Sequence, residues 1–351
     1  MSISILVAFI SVVVAIYLLD LIAHHFDLHD EPGGRKQHHS ATSLVGGLGI
    51  AAGLLTLAFT DTALFNDHKM LFATMLVLMC IGVLDDIRHM DTFARMLVQV
   101  GAALSIFYLA DIRFLSLGNL MGIGDLGLGP LAILFTCIAV VGGINAVNMM
   151  DGLDGLCGSL IAIALAGLIL VSSQNVLVLT LSSVTLACVA GFLIYNFQLP
   201  WNPHARVFMG DSGSYILGFI IVVLFLLASQ GSDKVMAPVT ALWLLAIPLL
   251  DCVHLVFYRA RQGRSPLSDD REHIHYLLTE RGFSVEKTVY FLCVAAIASA
   301  GVGLALHFLE VSELVSFCLF LAFTTIYFIV VGKIRTFSLA SMAPTSGAEL
   351  K

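Results

Sequence analysis

Apolar runs of membrane-crossing length alternate with short polar connections along almost the whole chain. Eleven runs can be read, at about 3–22, 44–60, 69–84, 94–110, 129–148, 156–173, 176–196, 213–230, 237–258, 287–307 and 313–332. A helix rises about 1.5 Å per residue, so about 20 apolar residues cross the hydrocarbon layer. A backbone inside that layer must satisfy its own hydrogen bonds, which helices do. The pattern therefore predicts an all-α polytopic membrane protein of about 11 transmembrane helices. They form a single integral-membrane domain over 1–335, followed by a short polar tail over 336–351. The first run has neither a basic leader nor a small-residue cleavage site, so it reads as a retained helix.

Composition agrees with the pattern. Hydrophobic residues are 59% of the 351 and charged residues only 12%, against about 25% charged in soluble domains. The net charge is −7 and no tract is rich in basic residues, which argues against a nucleic-acid partner. The seven cysteines lie in or beside apolar runs with no CxxC spacing and read as small core residues.

Charge placement sets an expected orientation. Of the 17 Lys and Arg, 14 fall in one set of connections and the C-terminus, and only Lys69, Arg113 and Lys234 fall in the other. The positive-inside rule makes the first side cytoplasmic. The N-terminus is then expected in the periplasm and the C-terminus in the cytoplasm. Every polar motif falls on the expected cytoplasmic side, whereas the outer connections are short and ordinary. A transporter would carry polar groups at the midplane and often inverted repeats. Neither is evident, so an enzyme working at the inner leaflet is the better reading.

Five motifs carry candidate chemistry. In Asn145-Ala-Val-Asn148-Met-Met-Asp151-Gly-Leu-Asp154-Gly155, two amides and two carboxylates recur every third residue. On a helix such positions drift by about 60° and share a face. The set suits hydroxyl or base-edge recognition as well as oxygen ligation of a metal, though a polar turn closing a membrane helix would look similar. Asp85-Asp86 ends the third run, and its two side chains reach one site only if the helix frays. Carboxylates are unfavourable at a helix C-terminus, which weighs for function.

Val207-Phe208-Met-Gly-Asp211-Ser-Gly-Ser214 opens the eighth run. Asp211 there is either a helix cap or, with free amides favouring a phosphate, a ligand of a bridging divalent cation. The late loop, from Arg259 and Arg261 to Asp270-Arg271-Glu-His273-Ile-His275-Tyr276, is basic and His-bearing, and suits phosphate better than zinc. Arg35-Lys36-Gln-His38-His39 lies in the first inner loop. Pro248 should kink the ninth run, and a groove for a lipid chain is expected beside it, near Leu250 and Val253.

These motifs, in this order over about 25–335, resemble the polyprenyl-phosphate N-acetylhexosamine-1-phosphate transferases, the MraY/WecA family. Pro238 to Trp243, Ile247 to Asp251 and Ser265-Pro266 are most similar to its WecA branch. Two positions depart from the family pattern. Tyr276 replaces the last His of a His-Ile-His-His run, and Ser43 stands where relatives often have Pro.

The resemblance implies transfer of GlcNAc-1-phosphate from UDP-GlcNAc to undecaprenyl phosphate in the bacterial inner membrane, with Mg²⁺ as cofactor and Mn²⁺ as substitute. It implies Asp211 as the metal ligand and Asp85 and Asp86 at the catalytic centre. Asn145, Asn148, Asp151 and Asp154 would line the nucleotide pocket, with Phe208 a platform for uracil. Arg259, His273 and His275 would face sugar and phosphates, and Lys36 a phosphate. A homodimer is the family-level expectation. Another UDP-N-acetylhexosamine as donor is the alternative within the family. The alternatives of other classes are a multispanning transporter and a CDP-alcohol phosphotransferase, whose second Gly-xxx-Asp-xxx-Asp half is missing after Asp154.

Overall fold

The computed structural model describes residues 1–26, 28–30, 42–198, 204–265 and 272–342. Lys36, with Arg35, His38 and His39, lies outside the described residues, as do 266–271 of the late loop and 343–351 of the tail. The elements in chain order are α1 (Ser2–Ile22), β1 (His29–Asp30), β2 (Thr42–Ser43), α2 (Gly46–Leu55), α3 (Leu57–Thr60), α4 (Thr62–Asp67), α5 (Lys69–Arg88), α6 (Thr92–Leu109), α7 (Ala132–Met149), α8 (Leu156–Val171), α9 (Val176–Asn196), α10 (Gly210–Ser229), α11 (Pro238–Leu244), α12 (Ala246–Arg261), α13 (Ile274–Glu280), α14 (Val285–Phe308) and α15 (Glu313–Met342). The two short strands pair antiparallel, His29 opposite Ser43.

Among the described residues, eight helices are long and apolar enough to cross a membrane, or nine if the bent pair α11–α12 counts as one span. Gly46–Thr60 and Leu156–Val171 are shorter apolar helices. The protein is thus a polytopic all-α membrane protein. Each of the eleven predicted runs coincides with a helix or a consecutive pair. The last helix runs on to Met342, so the first residues of the predicted polar tail continue it. All seven cysteines are unbridged; Cys157 and Cys188 are buried, whereas Cys80 and Cys318 lie on the exposed surface of the bundle.

Helix α10 is the axis of the bundle. It is apolar on every face from Tyr215 to Ala228, which marks a helix enclosed by others, and 94% of its spanning window is buried. In α1 and α15, equally apolar, only 17% is buried. Their exposed Leu, Ile and Val side chains face outward, as lipid contact requires. Glycines let neighbours approach α10 closely, the packing device of helices that have no hydrophobic drive to associate within lipid. A methyl group at Gly82 of α5 would collide with the backbone of Ser212, and one at Gly47 of α2 with the Gly213 amide. One at Gly218 would lie 2.6 Å from the Cα of Ile144 on α7. The Gly46-Gly47 pair therefore packs onto α10 and does not cradle phosphate: its amides donate to the carbonyls of Phe208 and Met209, at 3.0 and 2.9 Å. Together these approaches bring the end of α5, the end of α7 and the start of α10 to one place.

The ninth run is broken, not merely kinked. Helices α11 and α12 meet at 88° with Leu245 between them. Pro248 has no N–H to offer the carbonyl of Leu244, so the helical ladder fails one turn before the proline. Leu250, expected beside a lipid groove, instead packs in a core cluster with Val239, Trp243, Ala246 and Phe320.

Candidate active site

Helix α10 begins at Gly210, whose φ of +71° suits a residue without Cβ. Its first amides do not face an empty cleft. The Asp211 N–H donates to Oδ1 of Asp86 at 2.8 Å and the Ser212 N–H to Oδ2 at 3.4 Å. The anion expected at this helix start is thus a carboxylate of the chain itself, stabilised by the unpaired amides and the helix dipole. Asp211 is not the cap: the N-cap residue is Met209, and no side chain of the helix's own segment caps it. Its Oδ1 instead accepts from Nδ2 of Asn148 at 2.6 Å, and the same nitrogen donates to Ser214 Oγ at 2.9 Å. Residues of three sequence motifs therefore meet here.

The Asp85-Asp86 pair divides its work. Helix α5 does not fray; it continues to Arg88, so successive side chains point about 100° apart. Asp85 is 2% exposed. Its Oδ1 accepts from the Met90 N–H at 2.7 Å, and its Oδ2 from the Tyr215 hydroxyl at 2.6 Å and from Arg95 at 3.4 Å. Asp86 is half-buried and turns to the α10 terminus. Arg95 and Tyr215 are not marked by the sequence: Arg95 is one of the 14 basic residues of the expected cytoplasmic side, and Tyr215 lies inside an apolar run. The one sequence signal linking Arg95 to the site is its place in the first turns of the helix that follows Asp85-Asp86.

The Asn145–Asp154 motif shares a helical face only in its first half. Helix α7 ends at Met149, and Asp151 to Asp154 lie in turns that enter α8 through Gly155, at φ +78°. Asn148 reaches Asp211, but Asn145 does not. Its amide donates to Gln99 Oε1 at 2.6 Å and to the Val141 carbonyl at 2.7 Å, tying α7 to α6. Asp154 accepts from Gln198 at 2.9 Å and from the Ala205 N–H at 3.3 Å. Asn196 accepts from the Gly155 N–H and donates to the Val207 carbonyl, at 2.8 and 3.0 Å. The segment leading to Phe208 is thereby pinned to the start of α8. Phe208 is half-buried, and its N–H donates to the Ser43 carbonyl at 2.8 Å. Ser43, the unusual residue of its loop, donates its hydroxyl to Asp20 of α1.

Asp151 carries the electrostatic signature of the site. Burial, then the carboxylates of Asp211 and Asp154, push its pKa from 3.8 up to about 7. Such accumulated negative charge fits a divalent cation, and the donors are hard carboxylate and amide oxygens, which suit Mg²⁺. Among the described residues no group of three or more His, Cys, Asp or Glu could hold a metal alone. A cation held by Asp211 would therefore complete its shell with substrate oxygens, as Mg²⁺ commonly does.

The late loop joins the same face. A methyl group at Gly152 would collide with Nε2 of His275 and lie 2.7 Å from the Tyr276 hydroxyl. The Asp-Gly turn and the His-Ile-His segment are therefore in contact. The rings of His273 and His275 stack at 5.6 Å, and those of His275 and Tyr276 approach to 4.1 Å. Arg259, His273 and His275 are all buried. Glu272 anchors the loop between Arg264, at 2.6 Å, and Arg335 of α15, at 3.2 Å.

Fold and site together define a polytopic membrane protein with an acidic centre at the helix ends. The profile of glycosyl transferase family 4 matches residues 68–229. The chain is 34% identical over 317 residues to the undecaprenyl-phosphate alpha-N-acetylglucosaminyl 1-phosphate transferase of Salmonella typhi, covering 89% of this chain and 86% of that protein. It is 34% identical to the enzyme of the same name from Escherichia coli K12, covering 86% and 82%, and 31% identical to that of Haemophilus influenzae, covering 94% and 93%. The chain belongs to glycosyl transferase family 4.

Proposed function

We propose that this protein transfers GlcNAc-1-phosphate from UDP-GlcNAc to undecaprenyl phosphate. UMP leaves, and undecaprenyl-diphosphate-GlcNAc forms as the first membrane step of O-antigen or related cell-envelope polysaccharide synthesis. The observation that carries this reading is the meeting of Asp86, Asp211 and Asn148 at the start of α10. It occurs in a chain about one-third identical, over most of its length, to enzymes named for that transfer. The eleven helical units, with 14 of 17 basic residues on one side, support an inner-membrane enzyme whose site faces the cytoplasm, where UDP-sugars are.

Both reactants are anions, and catalysis of phosphoryl transfer is chiefly positioning and charge stabilisation. Asp211 would hold Mg²⁺, which when bound there neutralises charge on the phosphates and on departing UMP. Asp86 is better suited than Asp85 to orient the attacking lipid phosphate, because it is half-buried and accepts, among the described residues, only from the first amides of α10, whereas Asp85 is buried and tied to Met90, Tyr215 and Arg95. Asp85 then acts as a support. Asp151, Asp154 and Phe208 bound the nucleotide side, with Asn145 bracing α7 behind them. Arg259, His273 and His275, with Lys36 of the first inner loop, complete the cationic side.

A phosphate oxygen of the lipid attacks the sugar-bearing β-phosphorus directly, and the bond to the UMP oxygen breaks. A chiral isotopic label should show inversion at that phosphorus; retention would require a covalent intermediate. The assay for the whole proposal is UMP release from UDP-GlcNAc, dependent on both Mg²⁺ and undecaprenyl phosphate. An active membrane preparation that releases none would refute it. A panel of UDP-N-acetylhexosamines with mass spectrometry of the lipid product tests the choice of donor sugar.

A further inference from the structure

Asp251 lies on α12, in the second turn beyond the break, and its side chain is removed from solvent. An ionised carboxylate so placed is costly unless donors surround it. Three donors do, from distant parts of the chain. His273 Nδ1 is 2.7 Å from Oδ2, the Ile274 N–H is 3.0 Å from Oδ1, and the Tyr327 hydroxyl of α15 is 3.2 Å from Oδ1. The carboxylate accepts, so Nδ1 of His273 must carry the proton, and the second nitrogen, Nε2, is the one left with a lone pair. The Ile274 contact also satisfies the first free amide of α13, which no side chain of its own segment caps.

The His273 ring is held on its other side as well. It lies parallel to His275, 12° between planes, and His275 abuts Gly152 of the Asp-Gly turn. Position, tilt and tautomer of one imidazole are thus fixed by groups from α12, α15 and the α7–α8 turn.

We infer that Asp251 is a positioning residue for the transfer reaction, holding His273 as its Nδ1–H tautomer so that Nε2 is the nitrogen presented to the substrate phosphates, with Tyr327 holding Asp251 in turn. This rests on the proposed role of His273 at the phosphates. When Nε2 takes up a proton to donate to a phosphate oxygen, the imidazolium formed is stabilised by Asp251 through Nδ1–H. Asp251 itself stays ionised, as buried partners of reactive histidines do.

The test is Asp251→Asn in the full-length, detergent-solubilised protein. The substituted side chain has almost the same shape. Its carbonyl oxygen can still accept from Ile274 and Tyr327, which leaves its NH₂ facing His273 and reverses the tautomer. Nitrogen-15 imidazole spectra, with His273 assigned by its loss in His273→Asn, should show Nδ1 protonated in the natural protein and unprotonated in Asp251→Asn. Turnover should fall about 100-fold, the lower end of what a positioned proton-handling group contributes, while KM for UDP-GlcNAc and the melting midpoint stay close to the natural values. A merely structural Asp251 would lower the midpoint and spare turnover per folded enzyme.

Nδ1 found unprotonated in the natural protein overturns the inference, whatever the variant does. So does natural turnover in Asp251→Asn or in His273→Asn. The spectra need no substrate, so failure of the UDP-GlcNAc assay would be seen separately from failure of the tautomer assignment.

Discussion

Two buried carboxylate centres can be set side by side. At the start of α10, Asp86 and Asp211 stand close together, with Asp151 near enough to feel their charge. They are supplied with amide donors but, among the described residues, with no cation beyond Arg95, which Asp85 engages. At the break of α11–α12, Asp251 has a histidine, a backbone amide and a tyrosine hydroxyl around it. Among the described residues the first centre gathers more carboxylates than cations; the second is satisfied within the chain. Burial is costly in both, so the difference locates the incoming charge. The proposed cation would complete the first centre, whereas the second would orient the histidine proposed to meet substrate.

Removing the charge at the first centre should have the largest effect. Asp211→Asn keeps an oxygen for the Asn148 amide, so the fold survives. UMP release should fall by about 1,000-fold or more, the scale of a lost electrostatic clamp, with the melting midpoint within a few degrees. Activity retained at ordinary Mg²⁺ would erase the contrast between the two centres.

The adjacent acids of α5 sharpen it next. Asp86→Asn should lose most of its activity and little stability. Asp85→Ala should instead destabilise the folded protein by about 3 kcal/mol, because Arg95 and Tyr215 are left without a buried partner. Thermal unfolding and UMP release, measured on both variants, separate the roles. The reverse assignment would show stability lost with Asp86 and activity alone lost with Asp85.

Much of this was legible in the sequence, and the limits are physical. Span-length apolar runs fix helices because lipid leaves the backbone no other option, so each predicted run finds its helix. The candidate motifs are visible as expensive polar groups at run ends. Partners were not visible, because pairing belongs to tertiary structure. Asn145 reaches Gln99, 46 residues away, and Asp251 reaches Tyr327, 76 residues away. Asp85 and Asp86 look equivalent in the chain, yet 100° of helix turn sends one into the bundle and the other to α10. Pro248 announced a bend, but the break falls at Leu245, where the missing N–H is felt.

A contact between the centres gives a smaller effect. Gly152→Ala would press on His275 and the Tyr276 hydroxyl and push the late loop from the nucleotide side. KM for UDP-GlcNAc should rise about tenfold, since small misplacements near a reacting group are costly. An unchanged KM would mean the two segments touch without consequence.

The smallest effect is a pH slope. Asp151 has its pKa raised from 3.8 to about 7. Between those values the folded chain binds more protons than the unfolded one, so stability should fall as pH rises through that window. In metal-free detergent solution the melting midpoint should drop by a few degrees from pH 5 to pH 7.5, and Asp151→Asn should flatten the slope. A midpoint that rises with pH over this range would contradict the charge crowding inferred here.

The most direct measurement is Mn²⁺ binding by electron paramagnetic resonance, in the presence of UDP to supply phosphate oxygens, on the natural protein, Asp211→Asn and Asp251→Asn. Protein-bound Mn²⁺ is expected in the natural protein and in Asp251→Asn, and its loss in Asp211→Asn. Undiminished binding in Asp211→Asn, or loss in Asp251→Asn with the fold intact, would contradict that expectation.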